Sequence, residues 1–181
     1  EFELSSRQLR RIVNHELGVT PIQLLLTRRL LLAKQLLSET ALSVTDVAFA
    51  SGFSSLRRFN DAFSRRYGMP PTKLRRQVGA GRSAVPFSET STLLLAYRPP
   101  YDWDGMLSFL RGRALAGVEY VTDEGYFRTV QIGNATGWIG VTRATQKHAL
   151  RVEFTHSLTP ALPRLLGRLR RGRRPARAAC G

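Results

Sequence analysis

The stretch from Thr45 to Pro71, TDVAFASGFSSLRRFNDAFSRRYGMPP, constrains the fold of this chain more than any other. A short apolar segment ends at Gly52, and a second segment repeats large apolar residues at helical spacing. Successive intervals of 3, 3 and 4 residues place these side chains on one face of a helix, namely Phe53, Leu56, Phe59 and Phe63. Two helices joined at a steep angle by a glycine-containing turn form a helix-turn-helix unit. The stretch predicts such a unit, with Val47 and Ala48 facing inward on its first helix.

The outward face of the second helix carries side chains suited to reading DNA. Arginine bonds guanine bidentately and asparagine bonds adenine in the same way, whereas serine suits bases or phosphates. For a lone amphipathic helix, a solvated charged face is the simpler interpretation. Here the glycine turn, the net charge and a second candidate helix upstream favour DNA. We predict base contacts from Arg57, Asn60 and Asp61, and phosphate contacts from Ser54, Ser55, Arg58, Ser64, Arg65 and Arg66.

The charge of the chain points to a polyanionic partner. It has 28 Lys and Arg against 13 Asp and Glu, a formal net charge of +15 over 181 residues. Residues 1–78 hold 13 basic and 6 acidic residues, residues 79–162 hold 8 and 7, and residues 163–181 hold 7 and none. A cationic surface of this kind is typical of nucleic-acid-binding proteins. We therefore expect double-stranded DNA as the partner.

Helical patterns fill the rest of the first half. Ser6 is predicted as the N-cap of a helix that ends at Gly18, with Arg7, Gln8 and Arg11 facing outward as a second base-reading set. A second helix is predicted to begin at Thr20-Pro21 and run to about Ser38. A third is predicted from the Ser43 cap to Ala50, and a fourth from Ser54 or Ser55 to about Tyr67. The segment TKLRRQ predicts one further short turn.

The second half has a different texture. Residues 78–91 are rich in Gly, Ser, Ala and Pro and predict a linker. Five segments in which apolar and polar residues alternate predict strands. A helix capped by Asp102 is predicted between the first two strands, and another helix is predicted after Pro160. This order predicts an α+β domain, an antiparallel sheet with helices on one face. The predicted domains are a helix-turn-helix domain at 1–77, the linker, the α+β domain at 92–171, and a basic disordered tail at 172–181.

Several other classes are disfavoured by the sequence. No apolar run reaches the roughly 18 residues of a membrane span, and the start does not read as a signal peptide, so we expect a cytoplasmic protein without a membrane partner. Cys180 is the single cysteine, and His15, His148 and His156 lie in different elements, so no metal, cofactor or catalytic residue is predicted. Asp102 and Asp104 read as residues of a helix N-terminus rather than a catalytic pair. The absence of an initiator methionine predicts a fragment.

The first half resembles the AraC-type transcriptional regulator domain, which has two helix-turn-helix units joined by a long helix. The matching residues are Val44, Val47-Ala48, Gly52-Phe53, Phe59, Phe63, Gly68 and Pro71. The resemblance implies two recognition helices in adjacent major-groove segments of one duplex, with RNA polymerase as a partner of a regulator. It also places the first helix of the first unit before residue 1, so the helix with Arg7 and Arg11 is expected to be weakly held.

The second half resembles the N-terminal domain of AlkA-type DNA glycosylases, and FASGFSSLRRFN is similar to the regulator segment of Ada-type alkylation-response proteins. The glycosylase resemblance rests on Pro99-Pro100-Tyr101-Asp102-Trp103, Phe109-Leu110, Arg113-Ala114 and Val118-Glu119. Together these resemblances imply sequence-specific DNA binding and transcriptional regulation, associated with repair of alkylation damage. One alternative is a DNA-3-methyladenine glycosylase activity that belongs to a longer fused protein, with the catalytic domain outside this chain. Another is a cationic remnant that binds every duplex equally.

Overall fold

The computed structural model describes residues 5–79 and 89–172, and its first part is helical. Most of the predicted linker and nearly all of the predicted basic tail lie outside these residues. The helices of the first part are α1 (Ser6–Leu17), α2 (Pro21–Glu39), α3 (Val44–Ala50), α4 (Leu56–Tyr67) and α5 (Pro71–Gly79). The predicted short turn TKLRRQ is thus part of a nine-residue helix, α5.

Reciprocal caps begin the first two helices. The N-cap of α1 is Ser5, not the predicted Ser6. The Ser5 hydroxyl accepts the Gln8 N–H at 3.2 Å, and the Gln8 side-chain oxygen accepts the Ser5 N–H at 2.9 Å. A glutamine three residues beyond Ser5 can close this capping box, which explains the one-residue shift. Thr20 and Gln23 repeat the arrangement at α2, where Pro21 is the first helical residue as predicted.

The turn between α3 and α4 is closed by backbone hydrogen bonds at Gly52. The Gly52 N–H donates to the Phe49 carbonyl at 2.9 Å, and the Phe53 N–H donates to the Ala48 carbonyl at 3.1 Å. This pair of bonds is a Schellman motif, which needs a left-handed residue after the helix cap. Gly52 has φ +87°, a conformation that glycine adopts without a steric penalty. The glycine turn predicted from the sequence is confirmed.

Aromatic side chains form the core under α4. Phe59 and Phe63 are fully buried, and Phe53 is nearly so. Leu56, predicted to face inward with them, is instead 36% exposed. It is the first residue of α4, and side chains in a helix point back toward its N-terminus, beyond the packed surface. The buried face of this helix therefore consists of the phenylalanines alone.

The second part is an antiparallel sheet of five strands in the order β1-β5-β4-β3-β2. Its elements are β1 (Thr90–Ala96), α6 (Trp103–Arg111), β2 (Glu119–Val121), β3 (Gly125–Ile132), β4 (Ala135–Arg143), β5 (Ala149–Thr155), a 3-10 helix (His156–Ala161) and α7 (Leu162–Gly172). Leu95 pairs with Leu150, and Val152 pairs with both Leu93 and Val141, so one face of the sheet is apolar. Trp103 and Leu107 of α6 and Leu165 and Leu166 of α7 are buried in the core cluster that includes this face. The predicted α+β fold is confirmed, although Pro160 lies within the 3-10 helix and α7 starts later.

The two parts contact each other along one side. Helix α2 lies against the edge strand β1, and α3 packs on the 3-10 helix. A single cluster of buried residues extends from Leu36 and Val47 in the first part to Phe154 and Leu158 in the second. None of the described helices is both long enough and apolar enough to cross a bilayer.

Candidate nucleic-acid interface

Edge-to-face and tilted contacts between aromatic rings line the inward side of α4. The ring centroids of Phe53 and Phe59 are 5.2 Å apart, those of Phe59 and Phe63 are 5.5 Å apart, and those of Phe63 and Tyr67 are 4.6 Å apart. The Tyr67 hydroxyl donates to the Leu30 carbonyl of α2 at 3.3 Å. Burial raises the pKa of Tyr67, so this hydroxyl stays protonated to a higher pH than that of a free tyrosine. The bond from Tyr67 therefore ties the inward side of α4 to α2, which leaves its outward face free.

The predicted base-reading residues of α4 are all exposed. Arg57 and Asp61 lie four residues apart and Ser64 follows at seven, so these three share the line opposite Phe59 and Phe63. Asn60 and Arg58 are each adjacent to Phe59 in sequence, which places them on the two flanks of that line. Ser64 is half-buried at its edge. The geometry gives α4 a central line with flanking polar side chains, a suitable shape for a major groove.

The cationic and acidic groups of this line are open to a ligand. In the part of the chain that the structure describes, no ion pair within 4.0 Å involves Arg57 or Asp61. Arg65 and Arg66 are exposed in the last turn. Donor groups without protein partners on an exposed helix are available for bases and phosphates.

The N-terminus of α4 is suited to a phosphate. Ser55 is the N-cap, as one of the two predicted alternatives, and its side chain makes no capping hydrogen bond. Ser54 is exposed beside it. The first-turn N–H groups of a helix, together with its dipole, attract anions. Both serines lie where a backbone phosphate would approach the first turn.

A second cationic surface lies on α1. A groove of about 430 Å³ is lined by Arg7, Gln8, Arg10, Arg11, Asn14 and Thr20. Sequence reasoning named Arg7, Gln8 and Arg11 but missed Arg10 and Asn14. The spacing i, i+3, i+4, i+7 starting at Arg7 would have found both, because it defines one face of a helix. The side-chain oxygen of Gln8 is engaged in the cap, so only its amide NH₂ faces outward.

Helix α1 is held less firmly than α4. None of its residues is buried, and Leu9, Ile12 and Leu17 are 46%, 43% and 57% exposed. The difference in burial makes α4 the firmer of the two surfaces.

Two arginines near the turn serve the scaffold. The Arg75 guanidinium donates to the carbonyls of Thr40 and Leu42 in the loop between α2 and α3. The Arg29 guanidinium lies 5.9 Å from the Phe53 ring centroid, within the range of a cation–π contact. Charge counting alone would assign both residues to DNA. Their contacts show that they order the helix-turn-helix unit.

The ionisable groups of the second part also serve structure. The Tyr126 hydroxyl donates to Glu119 at 2.6 Å, and Arg128 lies 3.2 Å from the same carboxylate. The hydrogen bond from Tyr126 holds the pKa of Glu119 below its usual range, and burial with this bond raises the pKa of Tyr126 to about 12. Asp102 caps α6 by accepting the Gly105 N–H at 2.8 Å, in agreement with its predicted role. Among residues 5–79 and 89–172, no cluster of His, Cys, Asp and Glu could hold a metal ion.

Taken together, the fold and the surface define a class: a helical domain with exposed cationic faces on α1 and α4, attached to an antiparallel α+β domain. Comparison with known protein families agrees with this class. Residues 1–77 match the helix-turn-helix domain model, and residues 92–172 match the AlkA N-terminal domain model. The chain thus combines an AraC-type helix-turn-helix domain with an AlkA N-terminal domain.

Several curated proteins are similar to parts of the chain. The probable bifunctional transcriptional activator/DNA repair enzyme AlkA of Mycobacterium tuberculosis is 36% identical over 139 residues, 76% of this chain and 28% of that protein. DNA-3-methyladenine glycosylase 2 of Escherichia coli K12 is 34% identical over 77 residues, 42% of this chain and 27% of that protein. The HTH-type transcriptional activator RhaS of E. coli O139:H28 is 39% identical over 75 residues, 41% of this chain and 27% of that protein. The chain spans less than a third of the length of each.

Proposed function

We propose that this chain recognises a specific duplex-DNA sequence and acts in transcriptional regulation linked to the repair of alkylated DNA. The observation that carries the proposal is the division of α4 into two faces. Phe59 and Phe63 are fully buried, whereas Arg57, Asn60 and Asp61 are exposed on a helix that begins just after a glycine turn. A helix fixed on one side and polar on the other presents its side chains to base edges in a defined register.

Each exposed residue of α4 has a role in this proposal. Arg57 donates to a guanine edge, Asn60 bonds adenine, and Asp61 accepts from a cytosine amino group. Ser54, Ser55, Arg58, Ser64, Arg65 and Arg66 contact phosphates, which supply affinity without reading the sequence. On α1, Arg7, Gln8 and Arg11 read an adjacent half-site, with Arg10 and Asn14 on the same groove.

The link to alkylation repair is supported by the joined domains. The M. tuberculosis relative carries both activities in its name, and its similarity to this chain extends over 139 residues. An activator of this type works beside RNA polymerase, and we propose polymerase as a partner at the promoter. The relatives are bacterial proteins named as transcriptional activators and DNA repair enzymes, so we propose the cytoplasm as the site of action.

Selection from a randomised duplex pool, followed by sequencing and anisotropy titrations, tests the proposal. We expect one motif to be enriched. Arg57→Ala should weaken binding to that motif by about 1–3 kcal/mol and relax a single base position. Arg58→Ala should weaken all duplexes similarly and reduce the salt dependence of binding by about one phosphate contact.

A matched control separates base reading from loss of charge. Arg151→Ala removes the same charge from the exposed surface of β5, far from α4 in sequence, and should leave the selected motif unchanged. If Arg57→Ala lowers affinity for every duplex by the same factor, Arg57 does not read a base. If no motif is enriched and binding disappears as salt rises, the chain binds DNA through bulk charge and the proposal fails.

A further inference from the structure

The exposed edge of the sheet is closed by side chains of the helix-turn-helix domain. Strand β1 pairs with β5 on one side only, which leaves backbone groups on its other side. The Leu94 N–H donates to Glu39 Oε2 at 2.9 Å, and Gln35 Nε2 donates to the Leu94 carbonyl at 2.6 Å. Gln35 Nε2 also donates to Glu39 Oε2 at 3.1 Å. Leu94 is therefore paired on its outer edge by two side chains of α2.

This pairing is directional. Gln35 and Glu39 lie four residues apart, so they emerge from the same face of α2. The Gln35 amide supplies the donor for the Leu94 carbonyl, and the Glu39 carboxylate supplies the acceptor for the Leu94 N–H. Both side chains are half-buried, where polar groups need partners. A rotation or shift of the strand by one residue would break both bonds, so the pair specifies one register between the domains.

Apolar packing supports the same interface. Helix α3 lies on the 3-10 helix, where Leu158 is fully buried. Val47 and Ala50 of α3 are also fully buried. A continuous core across a domain boundary resists reorientation more than polar contacts alone.

We propose that Gln35 and Glu39 are positioning residues that fix the AlkA-type sheet to α2, so that the sheet and the helix-turn-helix domain form one body. Helix α2 follows α1 in the chain and contacts it, and α2 also packs against α3, α5 and β1. Tyr67 at the end of α4 bonds Leu30 of α2, and Arg75 of α5 bonds the loop that follows α2. The sheet thus buttresses the helix that sets the spacing between α1 and α4. The DNA-binding part of this inference rests on the function proposed above.

Hydrogen exchange at the Leu94 amide tests the contact without DNA. In the full chain we expect this edge amide to be protected. Glu39→Ala removes the acceptor of this amide and should speed its exchange by about ten- to a hundredfold. Gln35→Ala removes the bond to the Leu94 carbonyl and the bond that orients Glu39, so its effect on the Leu94 amide should be smaller. Glu39→Gln keeps an acceptor oxygen and should lie between wild type and Glu39→Ala. Glu16→Ala makes the same change on the exposed surface of α1 and should have no effect on Leu94.

A reference amide shows whether the variants are folded. Val152 lies in β5, which is paired on both sides, so its protection reports the sheet rather than its edge. Loss at Leu94 with retention at Val152 is the expected result. If the Leu94 amide of the wild-type chain exchanges as fast as an exposed loop amide, or if Glu39→Ala leaves it protected, the contact does not exist in solution and the inference is wrong.

The spacing of the DNA half-sites tests the positioning role. With the selected motif as probe, the affinity ratio between that motif and the same motif with one inserted base pair measures how rigidly α1 and α4 are spaced. Glu39→Ala should reduce this ratio by about two- to thirtyfold, the range of mutations that alter coupling. A variant that only unfolds part of the population lowers both affinities equally and leaves the ratio unchanged.

The two measurements distinguish the two proposals. Protection at Leu94 with no enriched motif would retain the domain contact and reject the sequence-specific function. An enriched motif whose spacing ratio is the same in wild type and Glu39→Ala would retain the function and reject the positioning role.

Discussion

Replacing Phe59 by alanine tests whether the aromatic core holds the recognition helix. Phe59 is fully buried and contacts the rings of Phe53 and Phe63 at centroid distances of 5.2 and 5.5 Å. Truncation of a buried phenylalanine costs about 3–5 kcal/mol, and lost aromatic pairs place Phe59 toward the upper end. Domains of this kind are stable by only about 5–15 kcal/mol. We therefore expect Phe59→Ala to leave the helix-turn-helix domain marginally folded.

Urea unfolding monitored by far-UV circular dichroism measures the effect, with DNA affinity measured in parallel. Phe49→Ala is the matched control, because Phe49 lies on α3 in the same domain and is 47% exposed. It should cost less than about 1 kcal/mol, since little area is lost from the core. Equal losses for Phe59→Ala and Phe49→Ala would refute the reasoning. So would a strongly destabilised Phe59→Ala that still binds the selected motif with wild-type affinity.

Two further predictions concern the turn and the sheet. Gly52→Ala should lower the free energy of unfolding, measured by thermal unfolding, by about 1–2 kcal/mol. Gly52 has φ +87°, and a Cβ there would lie 3.2 Å from Arg29 Nε. Gly112→Ala is the control and should be nearly neutral, because Gly112 has φ −69°. Because the pKa of folded Tyr126 is raised to about 12, its contribution is complete below the unfolded value near 10 and is lost as pH rises between these values. Tyr126→Phe should therefore remove about 2 kcal/mol of the alkaline loss of stability in urea titrations, and an unchanged alkaline limb would contradict the assignment.

Local patterns predicted the helix-turn-helix domain well because its signals lie within a few residues. The turn at Gly52 is closed by bonds from the N–H groups of Gly52 and Phe53 to carbonyls three and five residues before each donor, and a glycine at this position predicts such bonds. The N-cap of α1 was misplaced by one residue because Ser5 and Ser6 are adjacent, and only the Gln8 side chain decides between them. Leu56 fits the spacing of the apolar residues but is the first residue of α4, and at the start of a helix this spacing does not predict whether a side chain is buried.

The contacts that tie distant segments together could not be predicted in this way. Arg75 bonds carbonyls 33 and 35 residues earlier in the chain, and Glu39 bonds a strand residue 55 positions later. No periodicity records such pairs, because they depend on how complete elements pack. The individual base contacts proposed for α1 and α4 stay predictions.

Net charge and geometry have separate consequences for this protein. A charge of +15 draws the chain to any duplex, and this attraction weakens as salt rises. Discrimination between duplexes needs side chains held in register, and α4 meets that condition because buried rings fix its orientation. Helix α1 carries comparable charge without buried residues, so its register depends on α2. If α1 and α4 read DNA as proposed, a contact that steadies α2, such as the one with the edge of the sheet, contributes to specificity more than an added surface arginine would.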